Sequence, residues 1–217
     1  MSSTLAVAVA TPRTSLPGHG SFARLALAAI GAVGILTVAS RAAEAQTTPE
    51  QKPGWELLLT SGTVVPTGAQ REAIKRGNLS AAQLSYVVRP ALAVTATLGW
   101  ARSRDIASAG NPKLDVFTYD LGGEVRAPRR NVGKAITFSP FAGVGAGVRS
   151  YNYRSLHVDA THNMAAYGAA GGELGLGRVR LRLEARDYVT GFKPLDGGGT
   201  ADTRNDVVLM AGLRFTR

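Results

Sequence analysis

Val179-Arg-Leu-Arg-Leu-Glu-Ala-Arg-Asp-Tyr-Val189 alternates with a period of two. Val179, Leu181, Leu183, Ala185 and Val189 fall on one face, and Arg180, Arg182, Glu184, Arg186 and Tyr188 on the other. A helix would scatter these arginines among the leucines, whereas a strand separates them cleanly. The polar face carries charges of both signs where an ordinary solvated face carries Thr and Ser. It is built to pair ions. A strand of a soluble sandwich would alternate in the same way, so the fold depends on how often the pattern returns.

Working outward, it returns along the rest of the chain. Trp55, Leu57 and Leu59 oppose Glu56, Leu58, Thr60 and Gly62 before Pro66-Thr-Gly68. A polar loop over 67–79 leads to a strand over about 81–88, which stops at Arg89-Pro90; Pro marks a tight turn. Leu92, Val94, Ala96, Leu98 and Trp100 then face away from Ala93, Thr95, Thr97 and Gly99. After a loop over 102–113, Phe117, Tyr119, Leu121 and Val125 oppose Thr118, Asp120, Gly122, Glu124 and Arg126. A basic turn follows over 127–135. Next, Phe138, Pro140, Ala142, Val144, Ala146 and Val148 oppose Phe141, Gly143, Gly145, Gly147 and Arg149. Beyond a loop over 150–162, a weakly patterned strand over 164–175 turns Glu173 inward and reverses at Gly177-Arg178. The loop over 190–205 carries Gly197-Gly-Gly199. The final strand sets Val207, Leu209, Ala211, Leu213 and Phe215 against Met210, Gly212 and Arg214.

The reading is therefore all-β: about eight strands of roughly 9–11 residues, the length that crosses a bilayer at a tilt. Connections alternate long and short, as an antiparallel up-and-down transmembrane barrel requires. Cysteine is absent, which excludes disulfides, thiolate metal sites and Cys nucleophiles. The chain is 45% hydrophobic and 18% charged, with 26 glycines. After residue 45 it has no apolar run of the ~20 residues that a membrane helix needs.

Ahead of the strands, Arg13 and Arg24 precede the apolar stretch Leu25–Ala39, which ends in Ala43-Glu-Ala45. This is the make-up of a cleaved signal peptide over 1–45. A polar linker over 46–53 and a barrel domain over 54–217 follow. The net charge of +10 falls to +8 without the first 45 residues, since Arg13, Arg24 and Arg41 leave with Glu44. Aromatics are only 6% and no Lys/Arg block is present, so a nucleic-acid partner is not expected.

The signal peptide, the alternating hairpins, the Leu181–Val189 run and a terminal strand ending in Gly212-Leu-Arg-Phe215 together resemble the small outer-membrane β-barrel domain family. Its OmpA-like and OmpX-like members are eight-stranded. The resemblance covers about residues 55–215 and implies a place in the outer membrane, contact with its lipids, and delivery by the barrel-assembly machinery through the C-terminal strand. It leaves a loop ligand open and implies a monomer. Members usually end on the terminal aromatic, whereas Thr216 and Arg217 follow Phe215 here.

The strongest chemical signal is the inward charge set: Arg126, Arg149, Arg180, Arg182, Arg186 and Arg214 with Glu56, Asp120, Glu124, Glu173 and Glu184. Side chains just fill a barrel of this strand number, and an unpaired charge there would cost several kcal/mol. A structural ion-pair plug is the expectation, against a gated ion path or an acid-base site. Gly143-x-Gly145-x-Gly147 lacks the spacing and the helix of a phosphate loop, and is read as room for neighbouring arginines. His157 and His162, with Asp159, are read as solvated loop residues. The His-x-Ser-Asn signature of barrel-borne deacylases is missing at both. Trp55, Trp100, Tyr119, Phe138 and Phe215 are expected in interfacial girdles. No catalytic residue, cofactor or metal is expected. The alternatives are a barrel-borne lipid-modifying enzyme and a soluble periplasmic barrel holding an apolar ligand.

Overall fold

In the computed structural model, residues 53–133, 136–154, 156–176, 179–196 and 202–216 are described. The expected signal peptide, most of the linker and Gly197-Gly-Gly199 lie outside them.

The strands are β1 (Gly54–Thr67), β2 (Gly77–Arg89), β3 (Leu92–Arg104), β4 (Lys113–Arg126), the two-residue β5 (Arg130–Asn131), β6 (Ile136–Tyr153), β7 (Thr161–Leu176), β8 (Val179–Phe192) and β9 (Asp202–Thr216). Each long strand pairs antiparallel with its sequence neighbour, β4 pairs with β6 past the short β5, and β1 pairs with β9. The eight long strands thus close on themselves and leave no open edge, the all-antiparallel up-and-down barrel that the alternation implies. The start of β1 and the end of β9 share one rim with the ends at which β2 meets β3, β4 meets β6 and β7 meets β8. The described connecting residues 68–76, 105–112, 156–160 and 193–196 lie at the other.

The strands are longer than the apolar periods alone indicated, because pairing continues through polar sequence above the greasy band. β2 starts at Gly77, β6 runs on to Tyr153, and β7 starts at Thr161. Tyr151 and Tyr153 are consequently buried strand residues, not loop residues. His162 is likewise in β7 and exposed, so its reading as a loop histidine is corrected. Residues 68–72 form a single 3-10 turn over the loop-side mouth.

The glycines of β6 need a second correction. A Cβ on Gly145 would stand 2.5 Å from Tyr167 Cε1, and one on Gly122 of β4 would meet the Tyr167 hydroxyl. These glycines make room for an inward tyrosine of β7, not for arginines. Gly171 does the same for Phe141.

Outside, the belt is apolar all round. Leu57, Leu59, Leu84, Val94, Leu98, Leu121, Val144, Met164, Leu183, Leu209 and Leu213 are all exposed. Trp55 packs 5.0 Å from Tyr86 near the short-turn rim, with Phe215 outward nearby, and Trp100 stacks at 6.5 Å on Phe117 towards the loops. Tyr119 is half exposed on the same outer face.

Candidate functional site

The inward positions of the strands carry charge in the lower and middle lumen and apolar groups above. Nearest the short-turn rim, Glu56 of β1 accepts a bond from Arg214 Nη1 at 2.7 Å. Arg126 Nη1 of β4 lies at the same distance from it, as an ion contact outside hydrogen-bond geometry. Arg180 stands 3.9 Å from Glu56 and 3.8 Å from Glu173. One level up, Arg182 of β8 binds three carboxylates at once. Its Nη1 donates to Glu173 at 2.8 Å, its Nε to Glu184 at 2.7 Å, and its Nη2 to Glu124. Glu124 also accepts from Arg126 Nε at 2.6 Å. Arg182 is 1% exposed, and its guanidinium lies 3.4 Å over the Phe141 ring.

Higher still, Arg186 donates from Nε to Glu184, from Nη2 to Gln83 at 2.6 Å, and from Nη1 to Asp120 at 3.4 Å. The Tyr188 hydroxyl donates to the same Asp120 oxygen. Arg149 pairs with Asp206 of β9 and lies 4.2 Å over Tyr188. Period two explains why these groups meet. One strand face delivers Arg180, Arg182, Glu184, Arg186 and Tyr188, and the inward faces of β1, β4, β6, β7 and β9 supply the opposite charges.

All eleven residues singled out in the sequence therefore point inward, and each has at least one oppositely charged partner. Asp206 was missed there. It brings the carboxylates to six, set against the six arginines named from the sequence and Arg204, two positions before it on the same face of β9, and its parity with Met210 and Arg214 was the signal that could have found it. Gln83, Thr97 and Tyr188 also join the network.

Above the charges, Val64, Ile74, Leu79, Leu114, Val116, Tyr151, Tyr153 and Phe192 form one buried apolar cluster. Asp105, fully buried at the end of β3, ties the loops across it. It accepts bonds from the Ala107 and Ser108 amides, the Ser108 hydroxyl, Tyr153 and the Leu195 amide. Burial alone would raise the Asp105 carboxyl, but these five donors outweigh it and hold it below the usual carboxylate range. The lumen thus has two stacked plugs, one ionic and one apolar.

On the outer face, Ser150 of β6 stands directly across from His162 of β7. Ser150 is only 6% exposed, no hydrogen bond joins the pair, and among the described residues no carboxylate lies within 4.0 Å of His162. His157 is exposed in its loop. No group of three His, Asp or Glu able to hold a metal occurs among the described residues.

No family model matches the sequence, and no curated protein does. Solved structures do match. Neisserial surface protein A has a TM-score of 0.53 at 10% identity, over 77% of this chain and 100% of that one. The outer-membrane protein AlkL, solved in lipid bilayers, scores 0.48 at 16% identity over 79% and 93%. The outer-membrane enzyme PagL scores 0.38 at 11% identity over 75% and 99%. At such identities the likeness is one of fold. The chain has the fold of the small eight-stranded outer-membrane β-barrels.

Proposed function

We propose that the protein is an integral outer-membrane barrel with a closed lumen, which acts structurally or through its loops and catalyses no reaction. One observation carries this reading: the barrel is inside out for water. Its exterior is an unbroken apolar belt flanked by aromatics, and its interior is an ion-pair network centred on Arg182 and its three carboxylates. A soluble monomer rarely exposes apolar patches beyond a few hundred Å². A bilayer covers such a belt and leaves the charges to pair inside. The charged lumen also speaks against a soluble barrel with an apolar ligand.

In this reading the signal peptide is removed after Ala45, and the barrel-assembly machinery takes up the chain through β9 and Phe215. The outer-membrane lipids then surround a monomer whose long loops face outward. The covered Ser150 hydroxyl, with no carboxylate beside His162 among the described residues, favours a non-catalytic role over lipid hydrolysis. The test is gel mobility of the outer-membrane fraction with and without boiling, with N-terminal sequencing of the same band. A compact unboiled species that shifts on boiling and begins at Gln46 is expected. Recovery in the soluble periplasmic fraction would overturn the reading.

A further inference from the structure

On the loop-side rim, four cations stand side by side across neighbouring strands. Ile74 bridges Asp105, both buried, so the next pair outward is Lys75 and Arg104, joined by the Lys75 amide donating to the Arg104 carbonyl at 2.9 Å. Arg104 is the register partner of Lys113 on β4. The Arg154 amide in turn donates to the Lys113 carbonyl at 2.9 Å. Alternation turns all four side chains outward, and Lys75, Arg104 and Lys113 are exposed. One step nearer the belt, Arg102 lies 4.2 Å over the Trp100 ring, and Trp100 stacks on Phe117.

Like charges directly opposite each other across strands are destabilising. The row is not neutralised from within. Asp115 stands across from Arg102 in register and is held by Arg154. Among the described residues, Lys75, Arg102, Arg104 and Lys113 form no salt bridge. The lumen, by contrast, pairs every arginine it holds. A repulsive cationic row immediately above an aromatic shelf fits a ligand that places anionic groups at head-group height and apolar chains against the belt below.

We infer that Lys75, Arg104, Lys113 and Arg102 form a binding site for the phosphate groups of a phosphorylated lipid in the outward leaflet. This rests on the membrane-barrel reading above. Guanidinium and ammonium donors suit phosphate oxygens, Trp100 and Phe117 seat the acyl-chain boundary, and Arg154 is reserved by Asp115. The site lies on the β2–β3–β4 flank and does not use the lumen.

The test uses the protein purified from envelopes in detergent micelles, with Trp55→Phe so that Trp100 is the one reporting tryptophan, and titrates in bis-phosphorylated lipid A. A saturable change in Trp100 fluorescence is expected, and Lys75→Gln/Arg104→Gln/Lys113→Gln should weaken half-saturation by about tenfold or more. Arg89→Gln/Arg130→Gln at the opposite rim should not. The triple variant should keep its heat-modifiable gel shift, since it removes repulsion. Equal weakening by both variants, no saturable signal in the parent, or displacement by millimolar inorganic phosphate would each overturn the lipid site. Insertion of the parent into plain phosphatidylcholine vesicles separates the two claims: success with no lipid A signal overturns only the site, and failure to insert overturns the membrane barrel and the site with it.

Discussion

Arg182 Nε donates to Glu184 Oε2 at 2.7 Å, two residues along the same strand, while its other nitrogens reach Glu173 and Glu124. Glu184 in turn sits between Arg182 and Arg186. Glu184→Ala is expected to destabilise the barrel by about 3–5 kcal/mol, the usual cost of breaking a buried ion pair by removing one partner. The compensating change follows from the contacts. Arg182→Ala leaves Glu124 with Arg126 at 2.6 Å and Glu173 with Arg214 at 3.0 Å, whereas Arg186 is the salt-bridge partner of Asp120 and also holds Gln83. Glu184→Ala/Arg182→Ala should therefore recover more stability than Glu184→Ala/Arg186→Met, which strands the buried Asp120, as members of one network are not additive. Urea unfolding in liposomes measures all four proteins, and no loss in the single variant would sink the ionic plug.

The outer face has its own test. Leu183 is 53% exposed in the middle of the belt, and Arg76 is exposed in a loop. Leu183→Arg should lower folding into liposomes by about 2–4 kcal/mol, because it sets a charge against lipid near the midplane. Arg76→Ala should fold like the parent. Equal folding of both would mean that this face does not meet lipid.

How much of this was legible follows from the physics of each part. Strand parity was readable wherever apolar and polar residues alternate, which is why Arg180, Arg182, Glu184 and Arg186 could be placed without coordinates. Tyr151 and Tyr153 were not, because pairing there runs past the apolar period and only the neighbouring strand keeps the residue inward, and Asp206, though in parity with Met210 and Arg214, lay just ahead of the strand read from Val207. Gly145 faces Tyr167 directly across the β6–β7 pair and Gly122 meets it from one strand further, and no local pattern records that approach. The row of Lys75, Arg104, Lys113 and Arg154 is scattered over eighty positions and becomes a row only through register.

Asp105 links the loops to pH. Its carboxyl binds its proton less tightly in the folded protein than in an unfolded chain. The stability it lends is therefore present above the ordinary Asp value of about 3.9 and is lost as pH falls through the lower native value. Amide exchange at Ala107, Ser108 and Leu195 should stay slow from neutral pH down to about pH 4.5 and quicken, beyond the intrinsic trend, only in stronger acid. Asp105→Asn should loosen the same amides already at pH 7 and admit protease to residues 106–112. Unchanged protection in that variant would mean that Asp105 does not tie the loops.

The central claim is a barrel whose lumen is filled, and conductance across a planar bilayer tests it most directly. On the closed-lumen proposal, the ionic plug around Arg182 and the apolar cluster around Tyr151 and Phe192 leave an inserted protein with no continuous water path. The expected trace stays at the baseline of the bare bilayer over a range of voltages and salt, with insertion verified by heat-modifiable mobility of the recovered protein. Steady, voltage-independent conductance from inserted protein would contradict the account.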